Sequence, residues 1–491
     1  MLILVLLAGF GFRLYRLADK EMWYDEAFAV LYAEKDLGSI VHGTVTPVEG
    51  AAADIHPLMY YFFLHGWMRI GQSPLVVRFP SVVFGLLALC MIFVISRELF
   101  NPRIGMVATA LGAVSPFHIW YSQEARMYSL LCLTSLLVIY FFVRAWKQGT
   151  RLQWIGLSFF TALSLYAHNL AFLIPLTLYL FVAVRRQWSF LGRLLLAHLG
   201  SLLLFLPWLL LVPGQLAKVR QAYWIPRPGP VELVRTLIVF TFNLPLSGWL
   251  LPLSLFFSLL LLAMVLYRTL STAPVAHSEA TWSVWLCLSL SFVPMLAMFV
   301  ISLLKPVYIE RAVLSSSLVY CITVAQAMLR GRLPRVVLFS LMPIPLLLIG
   351  SLWFQYHYSE FPRSPFRQAN AYLREHVEAG DIIVHDSKLS FFPSHYYDRT
   401  LGQEYVGDVP GSSTDTLALP TQEVLGLLAQ PDVSHAVGDS RRVWFVVFRR
   451  ALDEARALGV ENPSEAWLDG RYSLSSSVQY SDLNIYLYES S

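Results

Sequence analysis

The chain has 491 residues, 56% of them hydrophobic and 14% charged, where a soluble domain carries about 25% charged residues. That composition excludes a water-soluble globular fold of this length, which would need far more polar surface. A formal charge of +4, scattered along the chain, gives no patch for nucleic acid, so no nucleic-acid partner is expected. The four cysteines, Cys90, Cys132, Cys287 and Cys321, all lie in apolar runs, which argues against a disulfide framework or thiolate metal site.

In chain order, apolar runs near 1–17, 79–100, 104–120, 127–145, 152–168, 170–184, 191–212, 234–246 with 248–267, 282–304, 311–329 and 335–354 predict about eleven membrane crossings. The first run is short and ends at Arg13 and Arg16; with no small-residue cleavage site after it, a retained span is expected. Pro245 and Pro252 interrupt the run around 234–267, read as one crossing because the charge pattern then stays consistent. With the N-terminus inside, alternate loops carry Arg97 and Arg103, then Arg144, Lys147 and Arg151, then Arg185, Arg186 and Arg193, then Arg268, then Arg330, Arg332 and Arg335. Acids are nearly absent from these loops, which is the positive-inside pattern. An odd number of crossings puts the tail outside. The expected fold is therefore mainly α: a polytopic transmembrane helix bundle of about 11 helices over 1–355, with an extracytoplasmic α/β domain over 356–491.

The outer loops differ in kind. The first, 18–78, opens on Trp23-Tyr24-Asp25-Glu26 and has Asp54-Ile55-His56-Pro57 in its middle; the helical spacing of Leu58, Tyr61, Phe62 and His65 predicts an interfacial helix over 56–71. The second holds Ser115-Pro116-Phe117-His118-Ile119-Trp120-Tyr121-Ser122-Gln123-Glu124-Ala125-Arg126-Met127-Tyr128. A third, 213–233, carries Lys218, Arg220, Tyr223, Trp224 and Arg227, and a fourth contains Tyr308, Glu310 and Arg311. Ionisable groups at the mouth of a membrane bundle are costly unless paired or working, which makes these loops the candidate site. In the tail, a helix over 366–377, strands over 381–385 and 442–448, a helix over 451–458 and a strand over 484–488 predict a small sheet packed by helices. Asp386, Ser387 and His395 lack nucleophile-elbow glycines around the serine, so the tail reads as a packing or acceptor-docking domain.

Arg13-Leu14-Tyr15-Arg16, Trp23-Tyr24-Asp25-Glu26, Ile55-His56-Pro57-Leu58-Met59-Tyr60-Tyr61, Arg78-Phe79-Pro80-Ser81 and the run from Pro116 to Tyr128, in this order and spacing, resemble a C-type membrane glycosyltransferase. More narrowly, they resemble the bacterial relatives of protein O-mannosyltransferases and of the lipid A aminoarabinose transferase. The resemblance is specific over about 10–130, with Tyr166-Ala167-His168-Asn169 and Pro306–Arg311 as weaker echoes. It implies transfer of a sugar from a polyprenyl-phosphate donor to a glycan, lipid or protein acceptor at the outer face of the cell membrane.

By that resemblance, Asp25 is the general base, with Glu26 assisting, holding a metal or capping a helix. The alternative for both acids is a helix N-terminus, where the dipole favours negative charge. Arg126 is the candidate donor-phosphate ligand with Glu124 orienting it or binding metal, against a local Glu–Arg pair that pins the loop. Arg311 is a second phosphate candidate, against an anchor snorkelling from a helix end. His56, Tyr121, Tyr128 and His168 are candidates for substrate binding, against hydrogen-bonded structure or an aromatic belt. A divalent metal is left open, because no tight ligand spacing is present. Two other readings stay in view: a ligase or polymerase of lipid-linked oligosaccharides, and a lipid-sugar transporter, for which internal repeats around midplane polar sites would be expected.

Overall fold

In a computed structural model of the chain, the described residues are 1–48, 51–221, 225–246, 248–271, 279–331, 334–408 and 417–490. Tyr223, Trp224 and Arg332 lie outside them.

The first third runs α1 (Leu2–Leu14), α2 (Tyr24–Ala33), α3 (Leu37–Val45), a two-residue hairpin β1 (Pro47–Val48) and β2 (Ala51–Ala52), α4 (Met59–Trp67), α5 (Pro74–Leu99), α6 (Pro102–Ala113) and α7 (Pro116–Ser122). Three of these helices start on the same local signal. Ser73, Asn101 and Ser115 are N-caps whose side chains accept from backbone N–H groups of the first turn. A proline follows each, at the position where a missing N–H costs nothing. The Ser115-Pro116 start breaks one apolar run into two helices bent by 63°. Arg13, fully buried at the end of α1, closes that break: its guanidinium donates to the carbonyls of Gly112 and Ala113 at 3.3 and 3.2 Å and to Ser122 Oγ at 3.2 Å. A cation on the orphan carbonyls of a helix C-terminus is favourable, so Arg13 fixes the direction in which α7 leaves.

The bundle continues with α8 (Tyr128–Lys147), α9 (Arg151–Ala167), α10 (Leu173–Val184), α11 (Trp188–Leu209), α12 (Val212–Gln221), α13 (Pro230–Thr241), α14 (Leu250–Leu270), α15 (Glu279–Leu304), α16 (Leu314–Leu329), α17 (Arg335–Leu341) and α18 (Ile344–Tyr356). All eleven apolar runs thus fold as helix. Among the described residues seven helical stretches are long and apolar enough to cross a membrane, eight if the bent pair is one span. Leu2–Leu14 and Asn169–Val184 are shorter apolar helices. In the 234–267 region only α14 has the length of a crossing; α13, at 12 residues, does not. The outward faces are apolar, with Leu196, Leu203, Val300, Leu346 and Trp353 exposed, as a lipid-facing surface requires. The chain is an integral membrane protein.

After Tyr356 come α19 (Phe366–His376), β3 (Ile382–His385), α20 (Lys388–Tyr397), β4 (Gln403–Tyr405), α21 (Leu419–Leu425), α22 (Val433–Val437), β5 (Arg442–Phe448), α23 (Arg449–Ala457), α24 (Pro463–Asp469), β6 (Tyr472–Tyr480) and β7 (Leu483–Ser490). They form one sheet of order β4-β3-β5-β7-β6, parallel across β4, β3 and β5 and antiparallel across the other two pairings. Each strand and helix expected in the tail is present. The short β4, the serine-rich β6 and helices α20, α21, α22 and α24 were not foreseen. The sheet rests on the first outer loop: the Met22 N–H donates to Tyr397 Oη at 2.8 Å, Tyr396 donates to the Gln72 carbonyl at 2.8 Å, and Phe392 packs edge-on against Tyr24.

Candidate functional site

The site is built where the start of α2 meets the loop between α7 and α8. Asp25 and Glu26 both lie in the first turn of α2, so the helix-start reading of this acid pair holds, as the macrodipole favours. Neighbours on a helix project about 100° apart, and these two acids go to different surroundings.

Asp25 faces two guanidiniums. Its Oδ2 is 3.1 Å from Arg311 Nη1 and 3.8 Å from Arg126 Nη2. Arg126 also donates to the Asp25 carbonyl at 3.3 Å. Arg311 lies 5.0 Å from the ring centre of Tyr128 and 5.7 Å from that of Trp23, within cation–π range. Tyr121 stands edge-on to Tyr128 at 5.4 Å. Arg126 Nη2 approaches His56 Nε2 at 3.4 Å, while His56 Nδ1 faces Asp54 Oδ1 at 2.9 Å. Burial pushes the Asp54 carboxyl up, but the charge and hydrogen bond of His56 and the Ile55 N–H outweigh it and hold the group at about 2. His168 lies 6.5 Å from His56 and 5.9 Å from Tyr128 by ring centres. Its Nδ1 accepts from the Leu170 N–H and caps the turn that opens the next helix. Arg126 is buried, and its Nε has no hydrogen-bond partner among the described residues.

Seven expected residues are therefore brought together: Asp25, Arg126, Arg311, His56, Tyr121, Tyr128 and His168. Glu26 and Glu124 are not with them: the structure places both in a second, sealed cluster, apart from Asp25 and Arg126. Glu26 is sealed, with Arg78 donating to its two oxygens at 2.7 and 2.8 Å, Arg363 to Oε2 at 2.5 Å and the Ala125 N–H to Oε1 at 2.8 Å. Burial alone would raise its pKa; the two guanidiniums more than offset that and hold it at about 2. Glu124 accepts from Arg363 at 2.9 Å and from Trp120 Nε1 at 2.8 Å, turned away from Arg126. Burial pushes the Glu124 carboxyl up and the nearby Lys20 ammonium down, with Arg363 opposing the first shift and adding to the second. The physical reason is geometric: α2 starts against α5, so its second acid faces Arg78, near the N-terminus of α5.

Asp54, Lys20, Arg78 and Arg363 carried no assigned role in the sequence. Asp54 and Arg78 stood inside quoted motifs, so a signal existed. Arg363, in Phe361-Pro362-Arg363-Ser364-Pro365, gave none. No three His, Cys, Asp or Glu side chains converge as a metal site among the described residues. Two surface clefts, of about 450 and 350 Å³, are lined by other residues, Tyr396 and Arg399 in one and Arg449 and Asp482 in the other.

Residues 55–211 match the family described as dolichyl-phosphate-mannose-protein mannosyltransferase. No curated protein is significantly similar in sequence. Among solved structures, ArnT from Cupriavidus metallidurans bound to undecaprenyl phosphate matches with a TM-score of 0.61 at 11% identity, over 99% of this chain and 97% of that one. The same protein in the apo state gives 0.55 at 13% identity, with the same coverage. The archaeal oligosaccharyltransferase AglB from Archaeoglobus fulgidus, in complex with an inhibitory peptide and a dolichol-phosphate, gives 0.52 at 13% identity, over 98% of this chain and 74% of that one. At such identities the likeness is one of fold, and it runs from one end of the chain to the other. The chain thus shares the fold of these structures along its length, and over 55–211 its sequence matches the mannosyltransferase family.

Proposed function

We propose that the protein moves a sugar from a polyprenyl-phosphate carrier to an acceptor hydroxyl at the outer face of the membrane, with Asp25 as general base. The observation that carries this reading is one carboxylate between two arginines: Asp25 Oδ2 at 3.1 Å from Arg311 and 3.8 Å from Arg126. The acceptor oxygen attacks the anomeric carbon and its proton passes to Asp25. The bond between that carbon and the phosphate oxygen breaks, and the phosphate leaves with its lipid. Arg126 and Arg311 meet the charge that grows on the leaving phosphate, through charge-assisted hydrogen bonds that strengthen as the bond opens. The unpartnered Nε of Arg126 suits this, because a buried guanidinium nitrogen without an acceptor is costly until an anion supplies one. His56, held by Asp54, steers Arg126; Tyr128 and Trp23 keep Arg311 over the site.

The carrier class is supported by the lipid phosphates bound in the ArnT and AglB structures. The outer face, with the sheet domain after Tyr356 on that side of the cell membrane, is supported by the arginine-rich alternate loops of the sequence. The likeness to AglB keeps transfer of a preassembled oligosaccharide as the second reading.

The test is transfer from radiolabelled polyprenyl-phosphate monosaccharides and lipid-linked oligosaccharides to a crude envelope fraction, by purified protein in liposomes, beside Asp25→Asn. Transfer from a monosaccharide carrier that disappears in the variant is the expected result. Transfer only from oligosaccharide carriers moves the assignment to the second reading. Transfer indifferent to Asp25 removes the site.

A further inference from the structure

Arg363 stands outside the membrane bundle in sequence, between α18 and α19, yet its side chain is 1% exposed. Its Nη1 donates to the Glu21 carbonyl at 2.7 Å and to Glu26 Oε2 at 2.5 Å, and its Nη2 donates to Glu124 Oε1 at 2.9 Å. The guanidinium also lies 5.2 Å from the ring centre of Trp120. One planar group therefore grips two separate segments. Glu26 is the residue after Asp25, and Glu124 is two residues before Arg126.

The arm that carries Arg363 is itself held by the sheet. The Phe361 N–H donates to Asp482 Oδ2, in the β6–β7 turn, at 2.8 Å. The Phe361 ring packs edge-on against Phe448, at the end of β5, at 5.6 Å and against Trp23, just before α2, at 6.3 Å. The line of contact runs from the sheet through Phe361 and Arg363 to both sides of the site.

We propose that Arg363 is a positioning residue that fixes the Asp25 segment against the Arg126 segment, and so makes the sheet domain part of the transfer machinery. The inference rests on the function proposed above. Its physical content is the fork: a guanidinium presents its donors in a fixed plane and spans two carboxylates at once, whereas an ammonium is a single point of charge on a flexible stem. A base or phosphate ligand displaced by about 1 Å costs on the order of a hundredfold in rate. Charge compensation alone would be satisfied by either cation.

Arg363→Lys separates the two roles, because it keeps the charge and loses the fork. The expected result is a melting temperature within a few degrees of wild type, kcat lowered by about tenfold or more, and faster amide hydrogen exchange over residues 20–32 and 122–130. The double variant Arg363→Gln with Glu124→Gln removes one charge of each sign and serves if the lysine variant does not fold; the same slower turnover and faster exchange are expected of it. Undecaprenyl phosphate binding, measured on the same variants, reports the Arg126 side alone. A folded Arg363→Lys protein with wild-type kcat and wild-type exchange in both segments overturns the proposal, and so does failure of both variants to fold, which would assign Arg363 to folding alone. Asp25→Asn, run in parallel, keeps the two ideas apart. If it retains transfer, the functional reading falls while the exchange data still judge the coupling; if it is dead and Arg363→Lys is normal, only the positioning role falls.

Discussion

Asp25 and Glu26 are neighbours on the first turn of one helix, and they live in opposite electrostatic worlds. Glu26 has every oxygen occupied and no exposure, between two arginines that are themselves buried. Asp25 retains 16% of its side-chain surface and shares one oxygen with two arginines at unequal distances. A buried carboxylate with both oxygens engaged by cations resists change, since moving either partner strands a charge in a medium that cannot solvate it. Two arginines facing a partly exposed carboxylate can exchange that anion for another. The pair separates into a rigid frame and a group able to react, set one residue apart so that the first holds the second in place.

The largest effect should come from the reacting member. Asp25→Asn keeps shape and hydrogen bonding but takes away the proposed base, so transfer should drop by about 10²–10⁴-fold with the melting temperature almost unmoved. A variant that unfolds instead would put Asp25 in the frame and erase the contrast. The complementary variant, Glu26→Gln, should fail in stability: breaking a buried ion pair from one side costs about 3–5 kcal/mol. This loss should depend on pH in a fixed direction. The Glu26 carboxyl sits at about 2 in the fold, below its ordinary 4.5, so its ionised form stabilises the native state above the ordinary value and that contribution is lost as pH falls toward the folded one. Thermal melts of wild type and variant from pH 7 downward should therefore run at a constant separation and begin to converge below about pH 4.5. Convergence starting near neutrality would mean that the carboxyl is not held down.

Arg126→Lys probes the boundary between the two regions. The lysine keeps the positive charge facing Asp25 but cannot clasp a phosphate with two parallel donors or reach His56 in the same plane. A charge-assisted hydrogen bond is worth about 1.5–3 kcal/mol, so kcat/KM for the donor should fall by roughly tenfold or more, with much of the loss in kcat. Steady-state kinetics over a donor series in liposomes, with undecaprenyl phosphate binding alongside, would measure it. An unchanged kcat/KM would mean that Arg311 alone takes the phosphate.

What the sequence showed and what it hid divide along the same line. The starts of α5, α6 and α7 were written locally, in Ser-Pro and Asn-Pro pairs at the head of apolar runs, and the partners of Asp25 lay inside recognisable motifs. The fate of Glu26 was not local. Its partners Arg78 and Arg363 are 52 and 337 residues away, and no helical or strand period relates such positions. An acid beside a base candidate looks like a second catalytic group until the cation that seals it is found. The same limit hid β6, whose Ser-Leu-Ser-Ser-Ser run has no apolar alternation because it is the sheet's outer strand, and the three-residue β4, too short to carry a pattern.

The contrast also predicts where an ion pair should not matter. Arg399 reaches from the end of α20 to Glu34 at the end of α2, with Nη1 and Nη2 engaged, at 3.0 and 2.5 Å. On a contact map it looks like Arg363: an arginine from the sheet domain, bidentate on an acid next to α2. Its side chain, however, is 46% exposed, so water competes for both partners and ordering the long side chain offsets much of the attraction. Arg399→Ala should change stability by about 1 kcal/mol or less and leave kcat and donor KM within about twofold, as surface substitutions away from special features usually do. Thermal melts and the transfer assay on the one variant measure both. A loss as large as that of Glu26→Gln would mean that burial is not what distinguishes the frame, and that the sheet domain grips α2 through its rim as well as through its sealed centre.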